Sequence, residues 1–293
     1  MLISPRYSDQ ASCVLINDDC IKALKTLPDE SIDLSVTSPP YFMGKEYDRS
    51  TKIEDFVEAH RLILSELLRI TKQGGSICWQ VGYHVKDAVV IPLDFLVHGI
   101  FGSSSELYLR NRIIWTFGHG LHSKKRFSGR HEMVLWYSKG KDFFFNLDSV
   151  RVPQKYPGKT HYKGAKKGEY SGNPLGKNPG DVWEIPNVKA LHIEKTDHPC
   201  QFPVALAQRL VRALTPSDGR VFDPFMGSGS TGVAALVEGK KFVGVEIIKE
   251  YYDIAHSRCE QSLSKEIKFR PLEKPIFVPT KNTAFAKKPA HFV

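Results

Sequence analysis

The chain has 293 residues, 41% of them hydrophobic and 25% charged, with a net charge of +9. This composition supports one large core or two modest ones and excludes a disordered or fibrous chain. No run of about 18 apolar residues occurs, so no membrane span is expected, and MLISPRYSDQ lacks the apolar stretch of a secretory signal. In chain order, CVLIND from Cys13 is a short apolar strand, and CIKALKTLPDES has apolar residues at helical spacing. SIDLSVT is a second strand, stopped by Pro39 and Pro40, which cannot continue a ladder. Residues 54–72 form an amphipathic helix halted by Gly74 and Gly75. SICWQVG, RNRIIWTFG and HEMVLWYSKG read as strands.

Between about 149 and 190 apolar periodicity vanishes and Gly, Pro and Lys dominate, which predicts an inserted, structureless and functional segment. Regular structure resumes with helix FPVALAQRLVRAL, strand RVFDPF, a glycine-rich loop, helix TGVAALVEG, strand KFVGVEI and helix KEYYDIAHSRCEQSL. That is a βαβ unit, so the sheet should be largely parallel. The last residues, 264–293, are expected to be a loose basic tail.

Charge is unevenly placed. Residues 119–195 hold 15 Lys and Arg against 7 Asp and Glu, and residues 264–293 hold 7 against 2. Phe127, Tyr156, Tyr162 and Tyr170 lie among the cations of the first zone, a mixture that suits a nucleic acid. The five cysteines (Cys13, Cys20, Cys78, Cys200 and Cys259) are widely spaced, with no CxxC pair. They predict reduced thiols in a cytoplasmic protein and no disulfide frame or zinc site. The histidines give no metal-binding spacing either, so no metal is expected.

Strand RVFDPF runs into a loop in which Gly227, Gly229 and Gly232 fit GxGxxG, and Glu246 ends the next strand. Small residues let a ligand approach the backbone, and an acid there can accept from two ribose hydroxyls. Alone, this fits NAD, FAD or S-adenosylmethionine. The absence of GK[ST] argues against a P-loop. The position of the unit late in the chain argues against a dinucleotide domain.

DPFMGSGSTGVAAL with KKFVGVEI, TSPPYF, INDDCIKALKTLPDESIDLSVTSPPY and TDHPCQFPVALAQRLVRAL together resemble the DNA amino-methyltransferases. Their order, catalytic motif first and cofactor loop last, resembles the β arrangement of that family across residues 13–260. The resemblance implies a doubly wound, mostly parallel seven-stranded sheet, circularly permuted, with an inserted target-recognition region. It divides the chain into a catalytic half (1–118), a recognition region (119–195, with a sheet strand near 131–138), a cofactor half (196–263) and the tail.

By position, the resemblance implies S-adenosylmethionine bound by Asp223, Phe225, Gly227, Gly229 and Thr231, with Glu246 on the ribose. Asp19 would meet the adenine edge, although Asp18 stands where the family usually has Gly. His198, Pro199 and Phe202 would pack beside the methionine. Ser38, Pro39, Pro40 and Tyr41 would be catalytic. The hydroxyl of Ser38 and the carbonyl of Pro39 would accept from an exocyclic amine, and Tyr41 would stack on an extruded base, with Phe42 as a second wall. Carbon-5 methylation needs a cysteine nucleophile, and Pro199-Cys200 lies in the wrong segment for it.

Serine before Pro-Pro favours cytosine N4 over adenine N6, while NPGDVWEIPNV resembles adenine-modifying members. Double-stranded DNA is the implied partner, with Lys124, Lys125, Arg126 and Arg130 on its backbone and His119, His122 and His131 as further donors. Relatives of this order are often homodimers, and a restriction endonuclease can accompany them. No feature of this chain shows either. Three rivals remain, a dinucleotide-dependent oxidoreductase, an inactive DNA-binding relative and a methyltransferase of structured RNA, for which no appended RNA module is seen. The first leaves TSPPYF idle, and the intact motifs argue against the second.

Overall fold

The computed structural model describes residues 3–41, 52–118, 120, 122–278, 280, 283 and 287. In the order of the chain come β1 (Ile3–Ser4), β2 (Cys13–Ile16), α1 (Cys20–Leu24), β3 (Ile32–Thr37), α2 (Ile53–Ile70) and β4 (Thr71–Val81). A hairpin, β5 (Tyr83–Lys86) and β6 (Val89–Pro92), precedes α3 (Leu93–Phe101), β7 (Leu107–Thr116), β8 (His131–Lys139) and β9 (Val182–Glu184). The chain continues with α4 (Val204–Leu214), β10 (Arg220–Asp223), α5 (Ser230–Val237), β11 (Lys241–Val245) and α6 (Lys249–Leu263).

The main sheet has the order β1-β2-β11-β10-β3-β4-β8-β7-β9. Every neighbouring pair is parallel except β4–β8 and β8–β7, so β8 alone runs against the rest. The sheet therefore has nine strands among the described residues, not seven. The two additions are short edges. β1 pairs with Cys13 and Val14, and β9 is drawn onto β7 by register pairs from Ile114 to Thr116.

Both faces of the sheet are covered, which explains near-continuous apolar strands. On β8, Val134 and Trp136 point into one buried cluster with α4, α5 and α6, while Leu135 and Tyr137 point into another with α1, α2 and α3. α2 stops at Ile70, before the two glycines. Thr71 ends it by donating both its hydroxyl (2.6 Å) and its backbone N–H to the Leu67 carbonyl. Lys72 then reaches the carboxylate of Asp33 on β3 at 2.8 Å.

Two segments differ from expectation. The stretch after β8 is irregular but not structureless. Val152 and Lys177 exchange backbone hydrogen bonds (3.0 and 2.9 Å), closing a neck, and Thr160 and His161 bridge to Tyr170 and Lys167 beyond it. The start of the tail is not loose. Ile267, Phe269 and Leu272 pack on the core, and Glu194 accepts the Arg270 N–H at 3.0 Å.

Candidate active site

The carboxyl ends of β2, β11, β10, β3 and β4 lie side by side, and each carries polar residues. In an open α/β sheet this edge is where ligands bind.

β10 and the loop after it form one half of the site. Gly227 (φ +48°) and Gly229 (φ +76°) hold left-handed backbone that favours glycine. A side chain on Gly227 would place its Cβ 2.8 Å from Nε2 of His198, so the loop surface must stay bare. The Gly227 N–H donates to one oxygen of Glu246 at 3.0 Å, and the Ile248 N–H to the other at 2.9 Å. Glu246 at the end of β11 is thereby fixed beside the loop. Burial pushes its carboxyl above the usual range, against those two backbone hydrogen bonds.

Asp223 is fully buried. Its Oδ1 accepts from Thr37 Oγ1 (2.5 Å) and from the Phe225 N–H (3.0 Å), while Oδ2 has no hydrogen-bond partner among the described residues. Thr231 stands beside the same carboxylate but sends its own proton to the Val36 carbonyl at 3.3 Å. Burial pushes the Asp223 carboxyl up to about 6, opposed chiefly by the Thr37 hydrogen bond. An orphaned buried carboxylate oxygen beside a bare glycine loop fits a ligand carrying an ammonium group.

The segment from 194 to 204 closes over this loop. Glu194 is buried and accepts the Val204 N–H at 2.9 Å, which starts α4. His198 lies on Gly227 and meets the Tyr251 ring edge-on, with centroids 4.4 Å apart. Phe202 packs on the core, and its carbonyl accepts from Ser230 Oγ at 2.8 Å. Pro199, by contrast, is exposed. Behind the loop, Arg258 donates to the Ser228 carbonyl at 2.6 Å, and burial pulls its guanidinium below the usual range. Asp19 is the N-cap of α1, accepting from Ile21 and Lys22. Two residues earlier, Asn17 donates to the Glu246 carbonyl at 2.8 Å.

The second half is the end of β3. Thr37 ties it to Asp223 across the β3–β10 pair. Ser38 and Pro40 are half-buried and Pro39 is buried. The Tyr41 ring packs against the core. Its hydroxyl oxygen accepts from the Gly82 N–H (2.8 Å) and from Gln80 Nε2 (3.3 Å), both at the end of β4, and the Ser38 side chain stands beside it. Burial, reinforced by the charge of Glu132, holds the phenol far above its ordinary range, so it stays neutral. Gln80 also donates to the Glu132 carboxylate at the start of β8. Phe42 and His119 lie outside the described residues.

The edge thus brings together Ser38 with Tyr41, and Asp223, Phe225, Gly227, Thr231, Glu246 and His198 around one loop. Lys124, Lys125 and Arg126 are exposed on the loop before β8, and Arg130 is half-buried there. Thr37, Gln80, Glu132, Glu194 and Arg258 were not singled out by sequence. Each is a polar residue in or beside an apolar run, and only the spatial pairing reveals its role. No group of residues able to hold a metal occurs among the described residues, and no helix there is long and apolar enough to cross a membrane.

Residues 32–257 match the family model described as DNA methylase. The chain belongs to this DNA methylase family. It is 46% identical to the type II methyltransferase M.BglII of Bacillus subtilis, over 83% of this chain and 67% of that protein. It is 30% identical to the DNA adenine methyltransferase YhdJ of Escherichia coli, over 87% of this chain and 85% of that one. The fold is also that of the PvuII cytosine-N4-specific DNA methyltransferase, with a TM-score of 0.67 at 21% identity over 86% of this chain and 92% of that one. A Thermus thermophilus DNA modification methylase, solved in complex with S-adenosyl-L-methionine, gives 0.60 at 23% identity over 85% and 95%. The expected family and the mostly parallel fold are confirmed, and the chain is a DNA methyltransferase of the N6/N4 amino type.

Proposed function

We propose that this methyltransferase uses S-adenosylmethionine to methylate N4 of cytosine in a specific sequence of double-stranded DNA. The observation that carries the reading is the shared edge at β3 and β10. Thr37 and Asp223 join the serine-proline segment to the glycine loop, so an acceptor for an amine and a cofactor cradle are one rigid unit.

Asp223 would receive the ammonium of the methionine part, Gly227 and Gly229 would admit it to the backbone, and Glu246 would accept from the ribose hydroxyls. His198 and Phe225 would wall the sides, with Asp19 toward the adenine. The bound cofactor supplies an electrophilic methyl on a sulfonium. An exocyclic amine is a poor nucleophile because its lone pair is delocalised into the ring. Ser38 Oγ, which stands beside the Tyr41 hydroxyl, offers lone pairs to one amine N–H. The Pro39 carbonyl, held by the rigid Pro-Pro backbone, offers another to the second. Together they favour a pyramidal nitrogen whose lone pair would take the methyl as its C–S bond breaks, and the surplus proton on nitrogen would leave through Ser38 Oγ to solvent. Catalysis is positioning and electrostatics, with no covalent intermediate.

Ser38 supports cytosine as the base. The 30% identity to an adenine methyltransferase supports adenine N6 as the second reading. The basic arms at 122–130 and 148–181 are the recognition region and face the duplex, with lysines and arginines mainly on phosphates.

Mass spectrometry of nucleosides from duplex DNA treated with the protein and S-adenosylmethionine tests this directly. N4-methylcytosine is the expected product, and N6-methyladenine would replace the first reading with the second. Ser38→Ala should abolish most turnover while leaving cofactor binding nearly intact.

A further inference from the structure

Phe127 is the most exposed aromatic side chain among the described residues, at 101% of its reference surface. A phenylalanine left in water forgoes the stabilisation that burying its ring would provide. Its neighbours in sequence are cations. Lys124, Lys125 and Arg126 precede it, all exposed, and Arg130 follows.

The loop that presents it is tied down. The Ser123 N–H donates to Ser128 Oγ at 3.1 Å, and the Phe117 N–H to the Arg130 carbonyl at 3.0 Å. The Arg126 guanidinium lies over the Tyr83 ring, 5.6 Å from its centroid. Tyr83 also presses on Gly129, where a Cβ would come within 1.8 Å of its hydroxyl. Tyr83 follows Gly82, whose N–H holds the Tyr41 hydroxyl. A short chain of contacts thus links the tip of a cationic loop to the segment assigned to the base.

We propose that Phe127 is a wedge that enters the base stack of the duplex at the target pair and fills the space left by the extruded base. The charges set its direction. Four cations seat the loop against phosphates, and beside them a duplex offers an apolar ring only small methyl groups at the groove floor or the much larger apolar interior of the stack. Apolar wedges used by other proteins unstack a step at a cost of a few kcal/mol. Burying an otherwise exposed ring offsets that cost. The inference rests on the reading of the protein as a DNA amino-methyltransferase.

The test compares wild type, Phe127→Ala and Phe127→Leu in single-turnover methyl transfer. The recognition site is first read from methylated positions in DNA of an expressing host. Two duplexes carry it, one fully paired and one with an abasic position opposite the target base. On the paired duplex Phe127→Ala should lose about tenfold or more in rate, with Phe127→Leu between it and wild type. On the abasic duplex, where the target is already loosened, Phe127→Ala should match wild type. No loss on the paired duplex, or equal loss on both, overturns the wedge and leaves the methyltransferase reading intact. Failure of the wild type on every duplex overturns that reading, and the wedge with it. Unchanged thermal melting of Phe127→Ala separates these outcomes from misfolding.

Discussion

Asp223 carries a charge that its burial resists. Its carboxyl titrates near 6 instead of the ordinary 3.8 because burial disfavours the anion. The folded chain holds this proton more tightly than the unfolded chain does. The group therefore contributes stability that is fully present below about pH 3.8 and is lost as pH rises to about 6. A bound ammonium reverses the preference, since it needs the anion. Affinity for S-adenosylhomocysteine should then fall as pH drops below about 6, by up to about tenfold per unit. Asp223→Asn should remove that slope. Calorimetric titration across pH decides it, and a flat wild-type curve would sink the ammonium pairing. Ser38, Tyr41, Gly227 and Glu246 were legible in the sequence because proline, glycine and a strand-terminal acid punctuate the chain. Thr37 and Gln80 were not. Inside SVTSPP and ICWQVG they look like ordinary strand residues, and their partners come from strands distant in sequence.

Among the elements, the 194–204 segment depends on one carboxylate. Glu194 joins two separate pieces of backbone, the start of α4 and the irregular run through Arg270. Glu194→Ala would leave both N–H groups without their acceptor, at about 1–3 kcal/mol each. Thermal melting should fall by several degrees, and limited proteolysis should cut the chain after residue 263 more readily. Melting and cleavage unchanged from wild type would show that the packing of Ile267, Phe269 and Leu272 suffices alone. The periodic helices and apolar strands were legible. The C-terminal run was not, because three apolar residues among lysines resemble a solvated tail until a groove exists to receive them. The hairpin β5–β6 was passed over for a similar reason. Its valines are exposed and mark no core-facing period.

Across the whole molecule, charge and chemistry are segregated. Residues 1–118 and 196–263, which carry most of the sheet, are mildly acidic, while residues 119–195 and 264–293 are basic. Binding to duplex DNA should therefore release counterions and weaken steeply with salt, by about a thousandfold or more between roughly 50 and 200 mM. Fluorescence anisotropy with a labelled duplex measures it, and an affinity flat over that range would show that the basic arms do not meet phosphate. The order of motifs made the permuted α/β fold legible from sequence. The two edge strands and the closed arm were not, since both rest on backbone pairing, which leaves no trace in side-chain pattern.

That closed arm has an evolutionary meaning. Its two ends meet at Val152 and Lys177, joined by a pair of backbone hydrogen bonds, with Arg151 donating across them to the Gly176 carbonyl at 3.0 Å. A loop of another length or composition can hang from the same neck without disturbing one strand of the sheet. Under the proposed assignment of this arm to target recognition, inheritance of the chemistry is separate from inheritance of the address: new target sequences can be tried by rewriting residues 153–175, with Gly176 kept at the neck, while the ends of β3 and β10 are passed on unaltered.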